Sequence, residues 1–536
     1  MAEQARIIGR GTWLDKVANE IIERERNLGR DISLLRVESG LGASGVPHIG
    51  SVGDAIRSYG VKLALESAGY KSELIAYSDD FDGLRKVPAG LPEWLKEYIA
   101  HPVCMIPDPF NCHNSYADHM SSLLRESLDK LGIEYVFKSG AEAYRSGILN
   151  GQIVKILDNA DIIGKKIKEM VGQEKYESSL PYTPLCRNCN RIYTTKAKSF
   201  DREKRTVWYI CEGTELGKEF LKGCGYSGEA RIEEGLGKLM WKVEFAARWA
   251  ALDIRFEAYG KELTDSVRIN DWVCENILDV TPPYHVRYEL FQDKSGRKLS
   301  KSSGNLVTPQ EWLEYASPES LRLLMFKRIV GARNISIDDI PVYMDEFDEL
   351  EDYYFSNSRD PNPMKDAKQR GLYEYAMLLR IPEKKRLHVP YKLLAELASF
   401  APEGKEVEFV VKRLSSYGIM KESDEGLRRR IEWASKWARR GMKEQKLNIQ
   451  IDEKTRRAVV EFANSLPLCK YPEEIQSKAF EVVRANGLTP SDFFPIIYQI
   501  FLGLDRGPRL GPYIYDMGIE RARERLLRAA GSQTNN

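Results

Sequence analysis

Four of the chain's eight cysteines fall in one segment with the spacing of metal ligands. Cys186-x-x-Cys189 offers two thiols from a tight turn, and Cys211 and Cys224 offer two more around a hairpin-like stretch. Structural zinc requires such a closed tetrahedral set of soft ligands, and four unrelated buried cysteines would not account for the CxxC pair. A second group, Asp108, Cys112, His113 and His119, collects one carboxylate, one thiol and two imidazoles within a dozen residues. All are acceptable zinc donors. By spacing alone, a surface loop with two incidental histidines fits equally well.

Two other stretches have the makings of phosphate chemistry. Gly40 to Ser51 is rich in glycine and contains Gly45, His48 and Gly50. Glycines let a backbone approach phosphates closely, a following helix N-terminus favours negative charge, and a histidine can donate hydrogen bonds to phosphate oxygens. A capping or core histidine is the plainer reading of His48. Far downstream, Lys298-Leu299-Ser300-Lys301-Ser302 places two lysines three apart in a glycine-flanked loop. Such lysines can neutralise charge that grows on phosphates in a transition state. A solvated basic loop is the commoner fate of a single KxxK.

These groups need a scaffold, and the first hundred residues read as one. Ile32 to Val37 is a short strand, the glycine-rich stretch follows, a helical pattern runs from about Asp54 to Ala68, and Leu74 to Tyr77 is a second strand. That βαβ order predicts an α/β fold with a doubly wound parallel nucleotide-binding sheet. Asp79, Asp80 and Asp82 follow a strand end, where open sheets bind ligands. From about Ala100 to Gly235 the pattern is irregular and holds both metal-type clusters and a lysine-rich helix, Ile153 to Val171. Strands resume at Ile254 to Tyr259 and near Val286 to Phe291, and helical patterns start at Thr308 and Pro318. Beyond about Asp345 helical periodicity dominates, as in Ser423 to Gln445 and Asp516 to Ala530. The expected organisation is therefore 1–100 and 236–345 as two halves of a catalytic domain, 101–235 as a zinc-bearing insertion, and 346–536 as an all-α domain. Only the tail, Gly531 to Asn536, reads as unstructured.

Composition narrows the class. Apolar residues make up 43% and charged residues 30%, an ordinary globular balance. No apolar run is long enough to span a bilayer, and the N-terminal residues lack a secretory pattern, so a cytoplasmic protein is expected. A net charge of +1 gives no hint of a polyanionic partner, yet a basic face can sit on a neutral molecule. Arg428, Arg429 and Arg430, followed by Trp433, Lys436, Trp437, Arg439 and Arg440, could form such a face. Tryptophans four apart are as readily core, with the arginines on a solvated surface.

Taken together, His48-Ile49-Gly50-Ser51 and Lys298 to Ser302 resemble the HIGH and KMSKS elements of class I aminoacyl-tRNA synthetases, in matching order and separation. Ser51 replaces the last His of the first element and Leu299 the Met of the second. Gly260-Lys261-Glu262-Leu263 sits where the family often grips the ATP ribose. Here Glu262 stands for an expected Asp and Leu263 for a His, and a surface turn is an equal reading.

The finer resemblance is to the class I, lysine-specific branch. It is carried by Ser44 to Gly50, Ser78 to Pro88, Asp108 to His119, Arg248 to Leu252 and Asp505 to Pro512, and so runs over nearly the whole chain. It implies a ligase that activates lysine with ATP, assisted by Mg²⁺, and transfers it to the terminal adenosine of tRNA(Lys). His48, Lys298 and Lys301 would be catalytic. ATP would be held by these with Gly45, Gly50, Gly260, Glu262 and Ser300. It also implies a zinc at the Asp108 cluster and a helical anticodon-binding domain; a monomer is expected. A lysine ammonium needs carboxylate or aromatic neighbours, for which Asp79, Asp80, Trp241, Glu244 and Tyr259 are candidates, with Trp249 near them. Core packing is as good a reading of Trp241 and Trp249. The competitors are glutamate activation, which needs a basic residue facing the substrate carboxylate, another nucleotidylyl transferase on the same sheet, and a non-catalytic RNA-binding relative.

Overall fold

The computed structural model describes residues 7–177, 179–217, 219–297, 299, 306–441 and 449–531. Lys298, Ser300 and Lys301, and the tail beyond Gly531, lie outside the described residues. The chain forms two compact units. One draws on Met1–Glu311, Pro318–Ser336 and Tyr353–Pro382, the other on Trp312–Ser317, Ile337–Asp352 and Glu383–Asn536.

In the first unit, helix α1 (Trp13–Asn27) precedes strand β1 (Leu35–Leu41), helix α2 (Ile49–Ser67) and strand β2 (Ser72–Ser78). Helix α3 (Tyr116–Lys130) leads to β3 (Val136–Ser139), and α4 (Gly140–Arg145), α5 (Asn150–Asp158) and α6 (Ala160–Val171) follow. Small antiparallel strands come next: β4 (Tyr182–Pro184), β5 (Thr195–Asp201), β6 (Thr206–Cys211), β7 (Gly213–Leu216), β8 (Glu219–Lys222), β9 (Ser227–Arg231) and β10 (Gly237–Leu239). The large sheet is completed by α7 (Trp241–Leu252), β11 (Ile254–Gly260), α8 (Thr264–Val273) and β12 (Tyr284–Tyr288).

That sheet has the order β12-β11-β1-β2-β3 with every pair parallel. The chain winds outward from β1 in one direction and later from β11 in the other, so the two strands flank a topological switch point. In such sheets ligands bind outside the carboxyl ends of the strands at that crevice. Asp79 and Gly260 lie at those ends. Strand β1 runs on through Leu41, into the glycine-rich stretch, because it pairs with β2 in register from Leu35↔Ser72 to Leu41↔Ser78. Helix α2 starts at Ile49, five residues before the expected Asp54, because His48 caps it.

Three expected elements are divided. The lysine-rich helix breaks at Asn159 (φ −112°, ψ 20°), whose side-chain amide donates to the Lys155 carbonyl at 2.8 Å in competition with the helix ladder. The last helical pattern breaks at Gly518, where φ is +94°, leaving Leu510–Met517 and Ile519–Gly531. Tyr284–Tyr288 ends before Phe291, which begins a separate short strand. From Tyr391 onward every regular element among the described residues of the second unit is a helix, and no described helix is long and apolar enough to cross a membrane.

Candidate active site

His48 is the N-cap of α2. Its backbone is extended (φ −121°, ψ 171°), and its Nδ1 accepts hydrogen bonds from the Gly50 and Ser51 N–H groups at 3.0 and 3.3 Å. A neutral ring that accepts at Nδ1 carries its proton on Nε2, which makes Nε2 a donor. Capping and ligand binding are thus compatible roles. Gly50 has no Cβ for a steric reason: the ring lies over it. Beside the cap, the Ile49 N–H donates to the Val307 carbonyl at 2.9 Å, which brings the chain downstream of the Lys298–Ser302 stretch to the start of α2. Glu262 is exposed, and its carboxylate folds back over Gly260 at the end of β11. Gly45 is half-buried beside Pro88.

The acids expected near the switch point divide. Asp80 is buried and bonds away to the Ala141 N–H (2.7 Å) at the start of α4. Asp79, at the end of β2, faces Arg248 of α7 at 3.4 Å. Glu244, also on α7, accepts from the Tyr144 hydroxyl at 2.9 Å and pairs with Lys238 at 3.0 Å. The same Lys238 ammonium bonds Asp82, and Trp241 Nε1 reaches Asp82 at 3.5 Å. Trp249 is a core side chain, 2% exposed, that donates to Glu257. Tyr259 meets the His285 ring edge-on at 5.7 Å.

Four functional-site neighbours are absent from the sequence reading: Glu38, Lys238, Arg248 as a charge, and Glu257. Arg248 Nε forms an ion pair with Glu38 on β1 at 2.5 Å, and Nη2 donates to Glu257 on β11 at 3.1 Å. Burial pushes Glu38 up to about 8 and Asp79 to about 7, against the pull of Arg248; their carboxylate neighbours push the same way. A glutamate in the middle of a strand buried on both sides was the available signal.

Both sulfur-containing clusters assemble. Cys186 and Cys189 sit on a turn after β4, closed by bonds between Cys186 and Arg191 and between Asn190 and Cys186, with Asn190 left-handed (φ +55°). Cys211 ends β6, and Cys224 follows the β7–β8 hairpin. The Cys186–Cys224 and Cys189–Cys211 sulfurs are 3.6 and 3.8 Å apart. Zinc–sulfur bonds of about 2.3 Å give tetrahedral edges of about 3.8 Å, so the set fits zinc. In the other cluster, Cys112 Sγ lies 3.2 Å from Nδ1 of both His113 and His119, and Asp108 lies 3.4 Å from His119 and 3.9 Å from His113. Burial opposes the Asp108 charge, but N–H groups of Phe110, Cys112 and His113 outweigh it and hold the carboxyl at about 2. In each cluster all four ligand atoms fall within 4.8 Å of one another.

In the second unit, the expected basic helix is Glu425–Arg439. Arg430 is buried against Asp345 and Asp348, and Trp437 is a core residue bonded to the Ile337 carbonyl. Arg439 pairs with Glu406 and Arg440 with Asp338. Arg428, Arg429 and Lys436 are exposed, and Arg429 lies over the half-buried Trp433 ring.

Comparison with known proteins places this arrangement. A lysine–tRNA ligase of Cenarchaeum symbiosum is 50% identical over 515 residues, covering 96% of this chain and 98% of its own. One from Rickettsia bellii is 30% identical over 519 residues, covering 95% of each. A glutamate–tRNA synthetase structure from Elizabethkingia anophelis aligns at TM-score 0.32 and 12% identity over 92% of this chain and 99% of its own, too distant to bear on the reaction. The family described as tRNA synthetases class I (K) matches residues 11–378, and this chain belongs to it.

Proposed function

We propose that the chain is a lysine–tRNA ligase that joins lysine to tRNA(Lys) at the expense of ATP. The observation that carries this is the 50% identity with a lysine–tRNA ligase along nearly the full length of both chains. The site supports it. The lysine carboxylate attacks the α-phosphorus of ATP in line and pyrophosphate leaves. The terminal adenosine of the tRNA, through its 2′-hydroxyl, then takes the lysyl group and AMP leaves. No side-chain nucleophile is required. His48 donates from Nε2 to phosphate oxygens, and Lys298 and Lys301 offset their growing charge, so the protein acts by positioning and electrostatics. Gly45, Gly50, Gly260, Glu262 and Ser300 complete the nucleotide site. Mg²⁺, held chiefly by the phosphates, supplies further charge neutralisation when bound.

Zinc at Cys186, Cys189, Cys211 and Cys224, and at Asp108, Cys112, His113 and His119, would be structural, since four protein ligands leave no open position. Glutamate is the wrong substrate for this pocket: Lys238 and Arg248, its buried cations, are both already held by carboxylates. The division into 1–100, 101–235, 236–345 and 346–536, with the last reading the anticodon, completes the proposal, as do a monomer and a cytoplasmic location.

ATP–pyrophosphate exchange with each of the twenty amino acids, with and without total tRNA, tests it. Exchange with lysine alone, abolished in Lys301→Ala, is expected. Exchange with glutamate would overturn the substrate, and none from folded, zinc-loaded protein would overturn the reaction.

A further inference from the structure

Helix α2 carries more than the His48 cap. Arg57, further along it, is 1% exposed, and its Nε donates to no described residue. Its Nη1 meets Asp54 at 3.5 Å, beyond the range of a charge-assisted hydrogen bond. The guanidinium also lies over two aromatic rings, 4.3 Å from the centre of Tyr288 and 5.4 Å from that of Phe291. Tyr288 in turn donates to Asp54. Gly53 leaves the room, since a Cβ there would lie 3.0 Å from Arg57 Nη1 and 3.1 Å from Met325 Sδ. An apolar side chain would fill this space at less desolvation cost than a guanidinium so thinly paired. The positive charge therefore has a use of its own.

Both rings stand on the chain that borders the nucleotide site. Tyr288 ends β12 opposite Gly260 in the register, and Glu262 is near enough to push up both Tyr288 and Asp54. Phe291 opens a short strand, β13 (Phe291–Gln292), that pairs with β14 (Arg333–Asn334), and the Arg333 guanidinium is 5.1 Å from the same ring. Downstream, the Val307 carbonyl accepts from the Ile49 N–H at the start of α2. Helix α2 thus holds the chain on both sides of Lys298–Ser302, at Tyr288 and Phe291 before it and at Val307 after it.

We propose that Arg57 is a positioning residue for the first step: through the Tyr288 and Phe291 rings it fixes where the lysine-bearing stretch begins relative to His48 on the same helix. Buried as it is, Arg57 meets no substrate itself. A cation over two rings resists their sliding, and desolvation strengthens that hold. Charge grows on the departing pyrophosphate only while the adenylate forms, so this placement matters there and not in the transfer to tRNA. The assignment rests on the ligase reading and deepens it.

Arg57→Met removes the charge and keeps a long apolar side chain, whereas Arg57→Lys keeps a cation. Both are measured in the full-length chain as lysine- and ATP-dependent pyrophosphate exchange, per active site titrated by adenylate formation. Transfer to tRNA from preformed, enzyme-bound lysyl-adenylate is followed separately in a single turnover. For Arg57→Met the expected result is a fall of about tenfold or more in kcat for exchange, with KM for lysine and the transfer rate within about twofold of the parent. Arg57→Lys should recover most of the loss. Equal slowing of exchange and transfer overturns the assignment, because Arg57 then only supports the fold. Arg57→Lys performing no better than Arg57→Met also overturns it, because the charge is then not what acts. So does a parent-like kcat in Arg57→Met, which leaves the ligase reading intact. If Arg57→Met does not fold, Phe291→Leu, which takes a ring from the guanidinium, carries the same split between the two steps. A parent protein that catalyses no exchange with any amino acid overturns the ligase reading and the assignment with it.

Discussion

A methyl group at position 50 would lie 2.7 Å from Cε1 and 2.8 Å from Nδ1 of His48, so Gly50 and the His48 ring occupy one shared space. Gly50→Ala must therefore displace the ring. Loss of the N-cap costs about 1 kcal/mol, and alanine in a helix returns a similar amount relative to glycine. Thermal stability should move little. Adenylation should still fall by roughly 10²-fold, because a misplaced donor loses its alignment with the phosphate. Exchange assays beside thermal melts check this; a variant equally active would show that the ring is only a cap.

Metal analysis of the purified protein should find close to two zinc ions per chain. Cys186→Ser should remove one and lower the melting temperature, since binding energy at a structural site is folding energy. Asp108→Asn should remove the other. Each variant is expected to keep the ion at the unaltered cluster, as the two ligand sets share no residue. Loss of both ions from either variant would refute independent sites.

In the helical unit both ring nitrogens of His388 lie against carboxylates, Glu351 at 2.8 Å and Asp352 at 2.9 Å, an arrangement that favours the imidazolium. Burial opposes that charge, but Glu351, Asp348 and Asp352 outweigh it and raise the His388 pKa. Burial likewise opposes the Glu351 charge, and His388 and Arg386 overcome it and hold the carboxyl at about 2. The Glu351 contribution, on the order of 3 kcal/mol, is present above its unfolded value near pH 4.3 and fades as pH falls toward 2. The His388 contribution is complete below about pH 6.5 and is lost as pH rises through the higher folded value. Denaturant melts across pH should show both limbs, and His388→Gln should flatten the upper one.

Neighbouring arginines on one helix should behave oppositely. Arg430→Ala leaves Asp345 and Asp348 without their buried partner and should cost about 3 kcal/mol. Arg428→Ala should leave stability unchanged. If that face meets tRNA phosphates, it should weaken binding and reduce the salt slope by about 0.7 to 0.9. Binding titrations at several salt concentrations read both effects; an unchanged slope would remove Arg428 from the interface.

Local order was legible and long-range pairing was not. The CxxC turn, the glycine-rich stretch before α2 and the alternation of strands and helices are short-range patterns, and each appears in the fold near its expected place. Boundaries shifted where a side chain caps or breaks a helix, as His48 and Asn159 do. The charge set around Arg248 depends on β1, β2 and β11 lying side by side, which no window of sequence contains. Asp80 shows the converse: three acids in one run look equivalent, yet pleat and turn send one to Ala141 and leave the others by Arg248 and Lys238.

The β7–β8 hairpin leaves and returns between two of the four thiols, with Cys211 just before it and Cys224 just after. With zinc bound, its base is clasped, whatever the length or content of the loop beyond. Phe220 near its end is 65% exposed and packs on Gly213 of the same hairpin. The far end of the hairpin is therefore the place where a longer loop or a fluorescent label should disturb the ligand set least, whereas its base stays tied to the neighbouring segment through the Gly213 N–H and the Thr194 carbonyl.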